Sequence, residues 1–173
     1  LSHIAPGSIV VDVVAHHGFY TLLSASLLHG KGTVFAFESR RANFKILKQN
    51  IKINCFTNVR AYQAFVGDSS GKRHCRLDDM LSGLDIGLIK IDVEGVEYQV
   101  LCGAKKIIDT SRPHLICELH PMKGADIAKI IKFFQSRSYR IFISREKNPM
   151  AMEEFVPYSK PIIYNDILIA VPS

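Results

Sequence analysis

Five short apolar runs in this 173-residue chain each end at an acidic residue. A short apolar run that is closed by a polar residue is typical of a buried parallel strand reaching the edge of a sheet. Ligands of open α/β sheets bind outside the carboxyl ends of the strands. The pattern therefore predicts a ligand site that is lined by carboxylates, those of Asp12, Glu38, Asp68, Asp92 and Glu118.

Strand and helix signals alternate along the chain, which predicts one α/β domain over residues 1–173 with a mostly parallel sheet covered on both faces. The predicted strands are residues 9–11, 33–37, 59–66, 86–91, 114–118, 139–143 and 166–171. The predicted helices are 19–29, 41–53, 96–108 with a break at Gly103, and 126–136, together with a short helix capped by Asp78. Residues 144–164 carry three prolines and are predicted to form a long loop.

Composition argues against several functional classes. The net charge is +6, from 22 Lys and Arg against 16 Asp and Glu, but the basic residues are scattered without interleaved aromatics, which favours solvated faces over a nucleic-acid surface. The four cysteines lack close-pair spacing, so neither a disulfide framework nor a zinc site is expected. No apolar run reaches membrane-span length and no secretory signal is seen, so a cytoplasmic location is expected.

The order of the acids along the chain favours a nucleoside ligand. Asp12 leads into a strand-to-helix turn closed by Gly18, and an acid at the end of the second strand, Glu38, can accept both ribose hydroxyls. Asp68 lies where an adenine amino group could be bound, although a plain turn residue is the alternative. The turn lacks the glycines that a pyrophosphate needs, and a carboxylate suits a cation. S-adenosylmethionine, with its ammonium and sulfonium groups, therefore fits better than NAD.

Six motifs of this chain resemble those of the FkbM-type methyltransferases, and the resemblance runs from Pro6 to Leu168. It implies a class I methyltransferase (Rossmann-like) three-layer sandwich whose mostly parallel seven-stranded sheet has an antiparallel strand near the C-terminus. It also implies S-adenosylmethionine as methyl donor, S-adenosylhomocysteine as product, and methylation of hydroxyl oxygens, often on sugars or secondary metabolites. The motifs are DVVAHHGFYT (12–21), FAFE (35–38), VGD (66–68), LDDML (77–81), IKIDVEG (89–95) and ELH (118–120).

By position, the resemblance implies a set of cofactor-binding residues with Asp92 near the transferred methyl group. Two positions depart from the family pattern: Val14 stands where glycine is usual, and His16 where asparagine is usual. If the backbone at Val14 requires a positive φ, its β-branched side chain is a strained choice costing about 1–3 kcal/mol. The implied cofactor-binding residues are Asp12, Val14, His16, Gly18, Tyr20, Thr21, Glu38, Ser39, Asp68 and Asp92.

The catalytic residues are expected at the ends of the fourth and fifth strands. An alcohol acceptor benefits from a base during methyl transfer, and we favour Asp92 or His120 as that base, with Glu118 orienting it or holding the hydroxyl. Glu94 is a further candidate, but it also suits the start of the following helix. Asp92, Glu118 and His120 could form a metal site, yet no short ligand spacing supports one, and none is predicted.

Three functions stay open at this point. The first is an S-adenosylmethionine-dependent O-methyltransferase acting on a small hydroxyl acceptor, glycosylated or not, with no nucleic-acid or membrane partner and with homodimerisation left open. The second is a methyltransferase fold kept as a weakened catalyst or binding module, which Val14 and His16 suggest. The third is an RNA methyltransferase, suggested by the net charge of +6.

Overall fold

A computed structural model describes residues 6–144, 152–154 and 166–173. The rest of the predicted loop at 144–164 lies outside the described residues, apart from Ser144 and one short strand. The strands are β1 (Ile9–Val13), β2 (Thr33–Phe37), β3 (Val59–Tyr62), β4 (Phe65–Val66), β5 (His74–Cys75), β6 (Ile86–Ile91), β7 (His114–Glu118), β8 (Tyr139–Ser144), β9 (Met152–Glu154) and β10 (Ile167–Pro172). The helices are α1 (Phe19–Leu27), α2 (Arg41–Ile53), α3 (Leu77–Met80), α4 (Glu97–Gly103), α5 (Lys105–Ser111) and α6 (Ile127–Gln135), with a 3₁₀ turn at Pro121–Lys123.

The main sheet has the strand order β3-β2-β1-β6-β7-β10-β8-β9. Neighbouring strands from β3 to β7 run parallel, while β10 is antiparallel to both β7 and β8. The predicted mostly parallel seven-stranded sheet with an antiparallel strand near the C-terminus is thereby confirmed. The three-residue strand β9 adds to it at the edge, beside β8.

Strand β1 is buried on both faces, which is why its sequence is a continuous apolar run. Val11 and Val13 join the larger core, which holds residues of α4, α5 and α6, whereas Val10 packs with Ala25 of α1 in a smaller cluster on the opposite face. The register sets Asp12 beside Lys90 of β6. The ends of the central strands are thus held rigidly at one edge of the sheet.

The prediction of one strand over residues 59–66 is wrong. The segment forms two strands in different sheets: β3 pairs with β2 in the main sheet, and β4 pairs with β5 in a separate two-stranded sheet. The chain leaves the main sheet after Tyr62, and the Phe65 N–H then donates to the Arg73 carbonyl. Apolar content alone cannot show this change of partner, because both short strands pack against the core.

Asp78 does not cap the short helix that contains it. Its buried carboxylate instead accepts hydrogen bonds from the backbone N–H groups of Lys106 (3.1 Å) and Ile107 (3.0 Å) in the first turn of α5. The predicted break near Gly103 is confirmed, and Asp78 supplies the cap that the second helix needs after it.

Replacing Asp78 by alanine is expected to lower the free energy of unfolding by about 2 kcal/mol, because two N–H groups of α5 lose their acceptor. Asp79 is the matched control, since it is the neighbouring acid but is exposed, and its carboxylate accepts only the Ser70 hydroxyl among the hydrogen bonds described. Urea denaturation should show a change below about 0.5 kcal/mol for Asp79→Ala. Equal losses in the two variants would contradict the capping role.

Candidate active site

The first turn after β1 adopts the left-handed backbone at alternate positions. The φ angles are 61° at Val14, 52° at His16 and 101° at Gly18. Gly18 is also the N-cap of α1, and a Cβ there would lie 2.7 Å from the Leu47 side chain, so both its φ and its surroundings require glycine. Val14 therefore sits in the conformation that a β-branched residue least favours, at a cost of about 1–3 kcal/mol.

Asp12 is 1% exposed and already has two partners. Its Oδ2 accepts a hydrogen bond of 2.6 Å from the Thr21 hydroxyl, and its Oδ1 lies 3.3 Å from the Lys90 ammonium without a hydrogen bond. Asp12 and Thr21, both expected to bind the cofactor, thus bind each other and join the end of β1 to α1.

Lys90 was not expected in the site. Its ammonium lies 3.3 Å from both Asp12 and Asp92, donates to the Val14 carbonyl at 3.2 Å and lies 5.1 Å from the centre of the Tyr20 ring. The signal that could have shown it is a charged residue inside the apolar strand β6. Lys90 links the first turn to the end of the fourth main-sheet strand.

Glu38 fixes the turn from the other side. Its Oε2 accepts the N–H of His16 at 2.9 Å and its Oε1 accepts the N–H of Arg40 at 2.7 Å, and the residue is 1% exposed. Ser39 beside it is exposed, and so is the side chain of His16, whose ring lies 4.0 Å from that of His17.

The other residues that the sequence predicts to bind the cofactor are spread more widely. Asp68 is exposed and follows β4 of the small sheet, whereas the other four acids lie in, or directly after, the last residues of main-sheet strands. Tyr20 projects from the first turn of α1, is 38% exposed and packs edge-to-face on Phe19.

The side chains of Asp92, Glu118 and His120, which the sequence predicts to be catalytic, lie close together. The Nε2 atom of His120 lies 3.5 Å from Glu118 Oε1 and 4.0 Å from Asp92 Oδ1, and one ligand atom from each residue falls within 4.8 Å of the others. Burial, followed by the neighbouring Asp92 carboxylate, raises the pKa of Glu118. Glu94 does not take part, because it is exposed and pairs with Lys123 at 2.7 Å.

Glu97 orients His120 from beneath and was also missed. Its Oε1 accepts the backbone N–H of His120 at 3.2 Å and lies 3.0 Å from His120 Nδ1, while the residue is 0% exposed. When the Nδ1–H group of His120 donates its hydrogen bond to Glu97, the lone pair on Nε2 faces Asp92 and Glu118. Only the acidic residue after the IDVEG motif, at the start of α4, hinted at this contact.

Comparisons with known proteins agree with this architecture. Residues 56–141 match the model of the Methyltransferase FkbM domain. Methyltransferase FkbM from Methylobacillus flagellatus superposes with a TM-score of 0.75 at 18% identity over 95% of this chain, which spans 44% of that protein's length. The sequence has no significant match among curated proteins.

Two further solved structures share the fold. An rRNA methylase from Streptococcus thermophilus superposes with a TM-score of 0.68 at 15% identity, over 99% of this chain and 91% of that one. A Streptococcus mutans protein described as a methyltransferase and crystallised in complex with SAH gives a TM-score of 0.63 at 11% identity, over 96% and 90% of the two chains. None of the helices in the described part of this chain has the length and apolar character that a bilayer crossing requires. The match over residues 56–141 and the sheet topology together show that this chain resembles the FkbM methyltransferases and has the class I methyltransferase fold.

Proposed function

We propose that this chain transfers a methyl group from S-adenosylmethionine to a hydroxyl oxygen of a small molecule such as a sugar or a secondary metabolite. The observation that carries the proposal is the position of Lys90. Its ammonium joins Asp12, at the cofactor end of β1, to Asp92, at the end of β6. The turn expected to hold the donor and the cluster expected to hold the acceptor are therefore neighbours.

The charges of the site fit a cationic donor. Four carboxylates, those of Asp12, Asp92, Glu97 and Glu118, lie within this network, and Lys90 is the only lysine or arginine among the described residues within 4.0 Å of any of them. Low exposure makes such an excess of negative charge costly without a cation. We assign the donor to the turn at Val14, His16 and Gly18, with Tyr20, Thr21, Glu38, Ser39 and Asp68 around it.

The acceptor side follows from the same geometry. S-adenosylmethionine, when bound, supplies a methyl group on a sulfonium, so that the acceptor oxygen gains the O–C bond while the S–C electron pair stays on sulfur. We assign Asp92 to the position nearest the methyl group, and Asp92 and His120 are the bases that can receive the hydroxyl proton. Glu118 holds the hydroxyl in line, since alignment supplies much of the rate in such a displacement, about 7–11 kcal/mol at best.

Calorimetric titration of S-adenosylmethionine and S-adenosylhomocysteine into the parent and Val14→Gly proteins tests the donor site. We expect micromolar binding by the parent and up to about a hundredfold tighter binding by Val14→Gly, because glycine adopts φ 61° without strain and leaves more room. Val14→Ala is the matched control, since it removes the branched side chain but keeps the Cβ that disfavours this φ. Absence of binding by all three proteins would overturn the proposal.

Methyl transfer itself is tested with a labelled methyl donor and a panel of sugar and phenol hydroxyl acceptors. Asp92→Asn should lower transfer about 10²–10⁴-fold while cofactor binding stays within tenfold of the parent. Glu94→Gln, three residues from Glu97 but paired outward with Lys123, should leave transfer unchanged. Transfer that Asp92→Asn does not slow would refute the assignment of the acceptor site.

A second candidate function rests on the strained turn. Because Val14 holds a positive φ and the carboxylates of Asp12 and Glu38 already bind groups of the protein, a methyltransferase fold with a weakened donor site is the alternative. It predicts that the parent protein fails to bind either cofactor form whereas Val14→Gly binds it.

The net charge of +6 also allows a hypothesis that the methyl acceptor is RNA. If the protein does not bind RNA even at low salt, that hypothesis is wrong.

A further inference from the structure

We propose that Asp92, Glu118 and His120 bind a divalent transition-metal cation such as Mn²⁺, which would hold the oxygen atoms of the methyl acceptor. The inference deepens the proposed function and rests on it for the role of the ion, but the ion site itself can be tested alone. It also replaces the expectation, drawn from sequence spacing, that no metal is bound.

The distances suit one ion. Metal ligands of this kind lie about 2.0–2.2 Å from the cation, so two of them on one ion are roughly 3–4 Å apart. The Nε2 of His120 lies 3.5 Å from Glu118 Oε1 and 4.0 Å from Asp92 Oδ1, too far for strong hydrogen bonds but within that range. One imidazole with two carboxylates favours Mn²⁺ or Zn²⁺ over Mg²⁺, which prefers oxygen ligands throughout.

The second, independent observation is the orientation of His120. The residue is 5% exposed, and its Nδ1 lies 3.0 Å from Oε1 of the fully buried Glu97. A carboxylate that holds one imidazole nitrogen and thereby aims the other at the ion is the usual outer arrangement of metal-binding histidines. The nearest ion-pair partners of Nε2 are Glu118 Oε1 and Asp92 Oδ1, so this nitrogen of a buried imidazole points into the cluster.

Charge supports a cation of more than one unit. Lys90 offsets one of the four carboxylates in the network and one donor cation would offset a second, which leaves two negative charges for a divalent ion. Asp92 and Glu118 are 33% and 38% exposed at their side chains, so the side of the ion away from His120 faces solvent.

The ion predicts the class of acceptor. Three protein ligands leave coordination positions open, and an acceptor with two adjacent oxygens, such as a vicinal diol, can occupy them. A hydroxyl on a divalent cation loses its proton to water more readily, and the resulting oxyanion takes the methyl group. With the ion bound, Asp92 and His120 act as ligands, and water takes over the role of base that is proposed above for these two residues.

Mn²⁺ titration, followed by calorimetry and by paramagnetic broadening of the His120 imidazole signals, tests the site without cofactor or acceptor. We expect one site per chain, with affinity at least tenfold lower in Asp92→Asn, Glu118→Gln and His120→Gln. Glu97→Gln should weaken binding about 10–100-fold although it touches no ion, because it frees the ring. Glu94→Gln is the control, since it removes a nearby carboxylate that lies outside the cluster, and its affinity should match the parent.

Saturating Mn²⁺ that leaves the His120 signals sharp, or affinity that is equal in Glu118→Gln and Glu94→Gln, would overturn the inference. Circular dichroism of each variant confirms that the comparison is made on folded protein. Failure here is distinguishable from failure of the proposed function: cofactor binding without Mn²⁺ binding removes the ion alone. If Mn²⁺ binds at His120 but the cofactor does not bind, the proposed methyltransferase activity is wrong and the metal site is supported.

Discussion

Lys90→Met should lower the free energy of unfolding by about 3 kcal/mol at neutral pH. The substitution keeps the length and apolar stem of the side chain but removes the ammonium between Asp12 and Asp92. Asp12 is 1% exposed and would then keep a buried charge with only the Thr21 hydroxyl to offset it. Denaturant unfolding of the purified variant gives the change directly.

Two further variants isolate that interaction. In Lys90→Met/Asp12→Asn the buried charge is gone, so the double variant should be more stable than Lys90→Met by about 1–3 kcal/mol. Lys129→Met makes the same substitution at an exposed pair with Asp126 and should leave the free energy of unfolding nearly unchanged. If the double variant is as unstable as Lys90→Met, the loss comes from packing and the charge argument is wrong.

Gly103→Ala is expected to lower the free energy of unfolding by about 3 kcal/mol. A Cβ on Gly103 would overlap the Gly67 carbonyl oxygen and lie 2.8 Å from its carbon. Both obstacles are backbone atoms, so neither can rotate away as a side chain would. The end of α4 must then move from the segment that follows β4.

Gly71→Ala is the control for this substitution. A Cβ at Gly71 meets no atom within 4 Å, so its unfolding free energy should stay within about 0.5 kcal/mol of the parent. Since Gly67 precedes Asp68, Gly103→Ala should also weaken cofactor binding if Asp68 contacts the adenine. If the thermal melts of Gly103→Ala and Gly71→Ala coincide, the end of α4 can move away from Gly67 at little cost in stability, and the prediction is wrong.

The strand ends could be predicted from sequence because a buried strand must be apolar and stops where the chain becomes polar. The bounds predicted for residues 33–37, 41–53, 86–91 and 114–118 agree with β2, α2, β6 and β7. The division of residues 59–66 into β3 and β4 could not be predicted from sequence. The strand with which each segment pairs depends on where the rest of the chain leaves a sheet edge open. The spacing of Asp92, Glu118 and His120 likewise says nothing about distance until β6 and β7 are known to be neighbours.

The supporting residues were missed for a related reason. In the sequence, Lys90 is a single charged residue within an apolar strand, and Glu97 is an ordinary acidic residue at the start of a helix. Their roles arise only from contacts made across the fold, 78 and 23 positions away in the chain, to Asp12 and His120. A residue that positions another side chain can be of many types, so its residue type alone does not identify this role.

The carboxylate of Glu38 would give the proposed donor site a built-in spectroscopic reporter. Its two oxygens hold the amide protons of His16 and Arg40, which are far apart in sequence and belong to different loops. A ribose that binds to those oxygens must lengthen or bend both hydrogen bonds together, so the two amide resonances should shift in proportion along a titration. The occupancy of the donor site can therefore be followed on a nitrogen-labelled sample without any label on the ligand.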